Sequence, residues 1–129
     1  KVLSKQKKRS SINNSNLLKI RDQAEELFYL IKSDKLSIKK FGEFLERGWE
    51  IKKDLASQVS NKFIDDTYSL AKKNGVYGGK LSGAGGGGFL SFVIKKKFRN
   101  KLITSLTKKK LKYFPVKLDS SGSIILSKN

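Results

Sequence analysis

The stretch Gly78-Gly79-Lys80-Leu81-Ser82-Gly83-Ala84-Gly85-Gly86-Gly87-Gly88-Phe89-Leu90-Ser91-Phe92-Val93-Ile94 places six of the chain's eleven glycines between Gly79 and Gly88, then runs directly into apolar sequence. Glycine loses more backbone entropy on folding than any other residue. A run of glycines is retained where the backbone must turn with positive φ or pass close to another group. Phosphate, held by backbone N–H donors, is the usual such group.

Gly83, Gly85 and Gly88 satisfy the spacing G-x-G-x-x-G. A dinucleotide site needs a strand, the loop, a helix and then an acidic residue about twenty positions on. Here a strand follows the loop, and the next acidic residue is Asp119. A P-loop needs Lys where Phe89 stands. A protein-kinase glycine loop lies between two strands, as this one does, but no catalytic loop or metal-binding Asp-Phe-Gly follows it. From the residues alone, two readings remain: a backbone cradle for phosphate, and a glycine-rich hairpin without a ligand.

Upstream, three helices are expected. Ahead of them, Val2 to Ile12 reads as a short basic helix or helix remnant ending in the loop Asn13–Asn16. Leu17, Ile20, Ala24, Leu27, Phe28 and Ile31 recur at helical spacing, with Ser15 or Asn16 as cap. Ser37 caps a second long helix with Ile38, Phe41, Leu45, Trp49 and Leu55 inward. Gly48 lies within it at a cost of about 1 kcal/mol relative to Ala, which close packing would explain. Asn61 caps a third helix with Ile64, Tyr68 and Ala71 inward. Asp65 and Asp66 stand at its start, where they favour the helix dipole. It ends at Lys72-Lys73-Asn74 with Gly75 as a left-handed stop.

Downstream, Gly79–Ser82 and Phe89–Ile94 read as strands, the second buried. Phe98, Leu102 and Leu106 mark a helix ended by Lys108–Lys110. Leu111–Leu118 alternates like an edge strand because of Pro115, and Ser123–Leu126 is a last strand after a turn. The order is three helices and then β–β–α–β–β. The fold class is α+β, a small antiparallel sheet packed by helices.

One domain's length is 129 residues. The chain has no Cys and no His, which excludes disulfides, thiolate metal sites and the commonest general base. The lack of Cys suits a reducing compartment, and a cytoplasmic location is expected. No apolar run is long enough to span a bilayer, and no secretory signal pattern stands at the start; no membrane partner is expected. The chain contains no Met, so it is expected to be a piece of something longer. The net charge is +18, and between Thr67 and Leu118 there are thirteen Lys or Arg and no Asp or Glu. Such a half carries a positive potential that favours anionic partners.

The block Gly78–Phe89 strongly resembles the third conserved motif of the GHMP small-molecule kinases. Gly48-Trp49-Glu50-Ile51-Lys52-Lys53, followed by Ser60-Asn61, Ile64-Asp65 and Tyr68, is similar to the branch that phosphorylates heptose 7-phosphate, with fucose kinases close by. The resemblance covers essentially the whole chain. It implies a ferredoxin-like C-terminal domain spanning residues 1–129, with a helical part at 1–60 and an α/β sandwich at 61–129. It also implies an absent N-terminal domain that carries the phosphate loop, the catalytic Asp and the magnesium ligand. ATP and Mg2+ would be held mainly there. No catalytic residue and no metal ligand is therefore assigned within the chain, and the fragment alone is expected to be inactive. The residues expected to line the cleft are Gly83, Ala84, Gly85, Gly86, Gly87 and Gly88, with Lys80 at the loop's entrance. Lys52 and Lys53 are possible contacts for a substrate anion, and Trp49 is expected in the core. The substrate implied is a sugar or sugar phosphate; fucokinase and galactokinase chemistry are alternatives within the family.

An alternative from a different class is a basic nucleic-acid-binding module on a ferredoxin-like platform. Against it, Phe89–Ile94 is too apolar for an exposed stacking face, and only four of the basic residues are Arg. No specific nucleic-acid partner is expected.

Overall fold

The computed structural model describes residues 2–55, 58–83, 85–117 and 121. Helix α1 (Val2–Lys32) is followed by α2 (Ile38–Leu55) and α3 (Lys62–Lys73). Strands β1 (Val76–Ser82) and β2 (Phe89–Ile94) come next, then a single 3-10 turn at Lys96–Phe98 and α4 (Arg99–Thr107). The class is α+β, with helices on an antiparallel pair of strands, as the sequence indicates.

The boundaries follow local chemistry. The backbone N–H of Lys40 donates to Ser37 Oγ (3.1 Å) at the start of α2, and that of Ile64 donates to Asn61 Oδ1 (3.0 Å) at the start of α3. α3 stops at Gly75, whose φ of +88° suits glycine; the Phe98 ring lies against it. Asp65 accepts from Ser60 Oγ (2.7 Å) and Asp66 pairs with Lys62 (3.2 Å). Asp65 lies in the first turn of α3, where its charge favours the helix dipole.

Two buried clusters hold the sheet to the helices. Trp49, Val59, Ile64, Tyr68 and Leu81 form one, with Leu90 and Phe92 packed on it. Ala71, Val76 and Leu102 form the other, with Phe92, Ile94 and Leu106. Trp49 is 1% exposed and Leu81 2%. The bulge between Val76 and Gly78 shifts the register. It brings Val76, Gly79 and Leu81 onto one face although 76 and 79 are three apart.

Several expectations need correction. The segment 13–16 is not a loop: α1 runs through it as one helix, and Asn16 accepts from Lys19 Nζ within that helix instead of capping it. The apolar stripe of α1 is not buried. Leu17, Phe28 and Ile31 are exposed, Phe28 at 61%. α1 meets α2 through a neighbouring face, where Arg47 pairs with Glu26 (3.1 Å) and Gln23 lies by Gly48. On α2, Ile38 and Phe41 are exposed while Phe44 is buried. Strand β2 is half-buried rather than buried, because its alternate residues Phe89 and Ser91 face outward. Residues 111–117 form no strand: Lys110 turns the chain at φ +62°, Pro115 lacks an N–H, and Val116 is 89% exposed. The Phe114 ring meets Phe89 edge-on instead, with centroids 5.6 Å apart. The expected last strand, 123–126, lies outside the described residues.

The glycine that permits close helix packing is Gly42, not Gly48. A Cβ on Gly42 would lie 2.6 Å from Tyr77 Cβ, and one on Gly78 would lie 2.0 Å from the Gly42 carbonyl oxygen. At Gly48 a Cβ would sit 3.5 Å from Gln23 Oε1, an ordinary contact. Gly42→Ala is therefore expected to destabilise the fold by about 1–3 kcal/mol through overpacking. Gly48→Ala is expected to stabilise it by about 0.5–1 kcal/mol through helix propensity. Urea unfolding of both variants beside the parent chain checks the two opposite signs.

Candidate functional site

Strand β1 ends where Ser82 pairs with Phe89, so residues 83–88 close a hairpin. Ala84 lies outside the described residues. Four glycines of the loop have positive φ: Gly83, Gly85, Gly86 and Gly88. Two of them also lack room. A Cβ on Gly88 would lie 2.2 Å from the Ser82 carbonyl oxygen, and one on Gly85 would lie 2.9 Å from Val59 Cα.

The loop does not hang free. The N–H of Gly86 donates to the Val59 carbonyl (3.1 Å). Asn61 Nδ2 donates to the Gly86 carbonyl (3.1 Å). Lys52 Nζ donates to the Gly83 carbonyl (2.9 Å). The end of α2 and the start of α3 thus grip the loop at its start and in its middle. Gly86 and, beyond the ties, Gly87 and Gly88 stay exposed. Gly87 differs from the rest: a Cβ there would meet nothing within 4 Å among the described residues, and its φ lies outside the left-handed region.

The lysines separate. Lys52 reaches the loop. Lys53 pairs with Glu50 (2.9 Å) and lies 5.9 Å from the Trp49 ring centroid, on the helix surface. Lys80 is exposed in β1 opposite Ser91. It shares a sheet face with Ser82, by the alternation of the strand. Trp49 is core, as the sequence indicates.

The strand that leads into the loop is held by Tyr68. Its hydroxyl accepts from the Gly79 N–H (3.0 Å) and donates to the Gly79 carbonyl (3.2 Å). Burial pushes the phenol up to about 12, and nearby Glu46 acts in the same direction. Among the described residues no group of three or more His, Cys, Asp or Glu could hold a metal ion.

Residues 27–110 match the family model for the GHMP kinases C terminal region. This chain belongs to the GHMP kinases. The match runs from within α1 to the basic end of α4 and takes in the whole glycine hairpin with its three supports. The chain is also similar to the D-glycero-alpha-D-manno-heptose 7-phosphate kinase of Campylobacter jejuni. The identity is 35% over 67% of this chain and 28% of that kinase. The chain therefore spans little more than a quarter of the curated relative it matches.

Sequence reasoning missed three parts of this GHMP site. Val59 contributes only a backbone carbonyl, which leaves no trace in side-chain pattern. Asn61 reads as a cap, and its second bond reaches 25 residues along the chain. Tyr68 reads as an apolar inward residue, yet a buried Tyr hydroxyl normally finds a partner, and that signal was available.

Tyr68→Phe leaves the N–H and carbonyl of Gly79 without their partner and is expected to cost about 1–3 kcal/mol at neutral pH. The folded phenol titrates above the unfolded one, near 10. Between roughly pH 10 and 12 the unfolded chain releases a proton that the folded chain keeps, so this part of the stability is lost as pH rises. Denaturant titrations of parent and Tyr68→Phe should therefore converge across that window and stay parallel below it.

Proposed function

We propose that this chain forms one wall of the cleft of an ATP-dependent kinase that transfers a phosphoryl group to a sugar hydroxyl, with heptose 7-phosphate as the preferred acceptor. The heptose assignment rests on similarity to the Campylobacter jejuni enzyme. The opposite wall belongs to an N-terminal domain outside these residues. That domain would supply the phosphate loop, the Mg2+ ligands and the catalytic Asp. Among the described residues no group of three or more His, Cys, Asp or Glu could hold a metal ion. Mg2+, when bound, would neutralise the charge that develops on the transferred phosphoryl group.

Gly87 carries the reading. The other loop glycines are demanded by their own backbone or by packing within the chain; among the described residues nothing demands Gly87. A group that approaches it from outside would explain why no side chain is there. Phosphoryl transfer depends mainly on positioning and charge stabilisation, so a wall of small residues contributes by letting the reactants close up. Lys52 touches the loop, and Lys80 stands on the strand that leads into it. Gly83 takes one of the three Lys52 N–H donors, which leaves others for a substrate anion. Glu50 engages Lys53, so Lys53 contributes less.

A soluble cytoplasmic enzyme is the setting this chemistry suits. No helix among the described residues is long and apolar enough to cross a membrane. The absence of a specific nucleic-acid partner is part of the same proposal. It is supported by Leu90 and Phe92, which pack inward on the core instead of forming a stacking face.

Two outcomes are expected. The 129-residue chain alone gives no ATP-dependent phosphorylation of heptose 7-phosphate, fucose or galactose, while the complete kinase phosphorylates the heptose most efficiently; radiolabelled phosphate transfer reads both. In the complete kinase, Gly87→Val should leave thermal stability nearly unchanged and lower kcat/KM at least about 100-fold. Full activity in that variant would remove the cleft role of the loop.

A further inference from the structure

We infer that Asn61 is the positioning residue of the glycine loop, acting through the two ends of one carboxamide. Its Oδ1 accepts the N–H of Ile64 and so caps α3. Its Nδ2 donates to the carbonyl of Gly86. Each end of the amide faces a group that only that end can satisfy. Reversing the amide would set N–H against N–H and oxygen against oxygen. The cap therefore orients the donor, and the donor holds the loop.

The placement has consequences for the loop's shape. Gly86 is bound on both sides, its N–H by the Val59 carbonyl and its own carbonyl by Asn61. Both partners come from the three-residue segment Val59-Ser60-Asn61 that enters α3. That segment is itself anchored, because Val59 is buried in the core and Ser60 donates to Asp65. Residue 86 sits at φ +68°, one of several conformations open to glycine without strain, and the two bonds select it in an exposed loop. Lys52 holds the loop's first carbonyl, but it is a long side chain with many rotamers and orders less than a short amide locked by a helix cap. Asn61 thus fixes where Gly87 stands, one residue on. Its importance for turnover rests on the proposed cleft role; its hold on the loop does not.

The inference separates cap from clamp, and single substitutions separate them too. Asn and Asp cap helices about equally well, and Ser is close behind. Asp offers no donor to the Gly86 carbonyl, and an ionised Asp repels it; the Ser hydroxyl can donate but ends one bond short of the Asn amide nitrogen. Amide hydrogen exchange on the chain, read by NMR, should show Gly86 exchanging about tenfold faster in Asn61→Asp. Ile64 and Asp65 should stay within about twofold of the parent. Asn61→Ser should behave the same way without the added charge, and it guards against a charge-specific misfolding of the Asp variant. Asn61→Ala should release both Gly86 and the first turn of α3. Unchanged Gly86 exchange in the Asp and Ser variants would overturn the positioning role. A second measurement tests the reading beneath it: in the complete kinase, Asn61→Ser should lower kcat about tenfold or more with little change in KM for ATP. A loosened loop with undiminished turnover would uphold the clamp and overturn the cleft role of the loop.

Discussion

The fold turns on two residues of β1 that carry no side chain. Gly78 is approached from α2 so closely that its Cα and the Gly42 carbonyl leave no space for a methyl group. Gly79 turns its N–H and carbonyl to the Tyr68 hydroxyl of α3. In an antiparallel pair the two polar groups of one residue point to the same side. Those of Gly79 therefore point away from β2, toward an edge that would otherwise be open. Tyr68 closes that edge from within the chain. Two helices so held to one strand bring their ends together at the place where the strand becomes the glycine loop. Lys52 at the end of α2 and Asn61 before α3 reach the loop because Gly78 and Gly79 fix the helices that carry them.

Electrostatics divides the domain along the same lines. Ion pairs tie α1 to α2 through Glu26 and Arg47, and α2 to the α3 end through Glu46 and Lys72 at 2.8 Å. Lys72 also donates to the Tyr77 carbonyl, so one ammonium links α2, α3 and β1. From Lys95 to Lys117 every Lys and Arg is exposed, and none takes part in an ion pair among the described residues. Exposed pairs contribute little stability. Leaving these cations unpaired costs the fold little and keeps a positive field on the half that holds the loop.

Much of this was readable from the chain before its structure. Capping residues Ser37 and Asn61, the stop at Gly75 and both strands of the hairpin announced themselves, because each is set by chemistry within a few residues. Ile64 and Ala71 were readable as core because helical spacing on the short helix α3 leaves one choice of face; on the longer α2 the same spacing found Trp49 but also offered Ile38 and Phe41, which are exposed. The long helix α1 defeated that logic. Its apolar stripe is genuine, yet the contact with α2 is made by Gln23 and Glu26 on a neighbouring face, so periodicity showed an amphipathic helix without showing which face is used. The wrong glycine was credited with close packing, since Gly42 and Gly48 look alike in a helix and only the crossing point of α2 on β1 tells them apart. Residues 111–117 alternate as a strand would, but alternation describes a side-chain pattern, while a strand also needs a neighbour for its backbone. Among the described residues Phe114 finds only the Phe89 ring.

Within the loop, glycines that look identical in sequence have different reasons to be there. Gly88 is fixed by the carbonyl of Ser82, and Gly85 by the backbone at Val59. These are internal constraints, and any isolated hairpin of this shape would need them. If the loop were only a hairpin, selection would have no use for a further glycine in open space, where it adds entropy to the unfolded chain and no contact to the folded one. Gly87 is such a residue. The two simplest readings of the glycine run, a ligand-free turn and a wall for something brought close, therefore differ at one position. The described geometry explains the neighbours of Gly87 and supplies no contact that demands Gly87 itself.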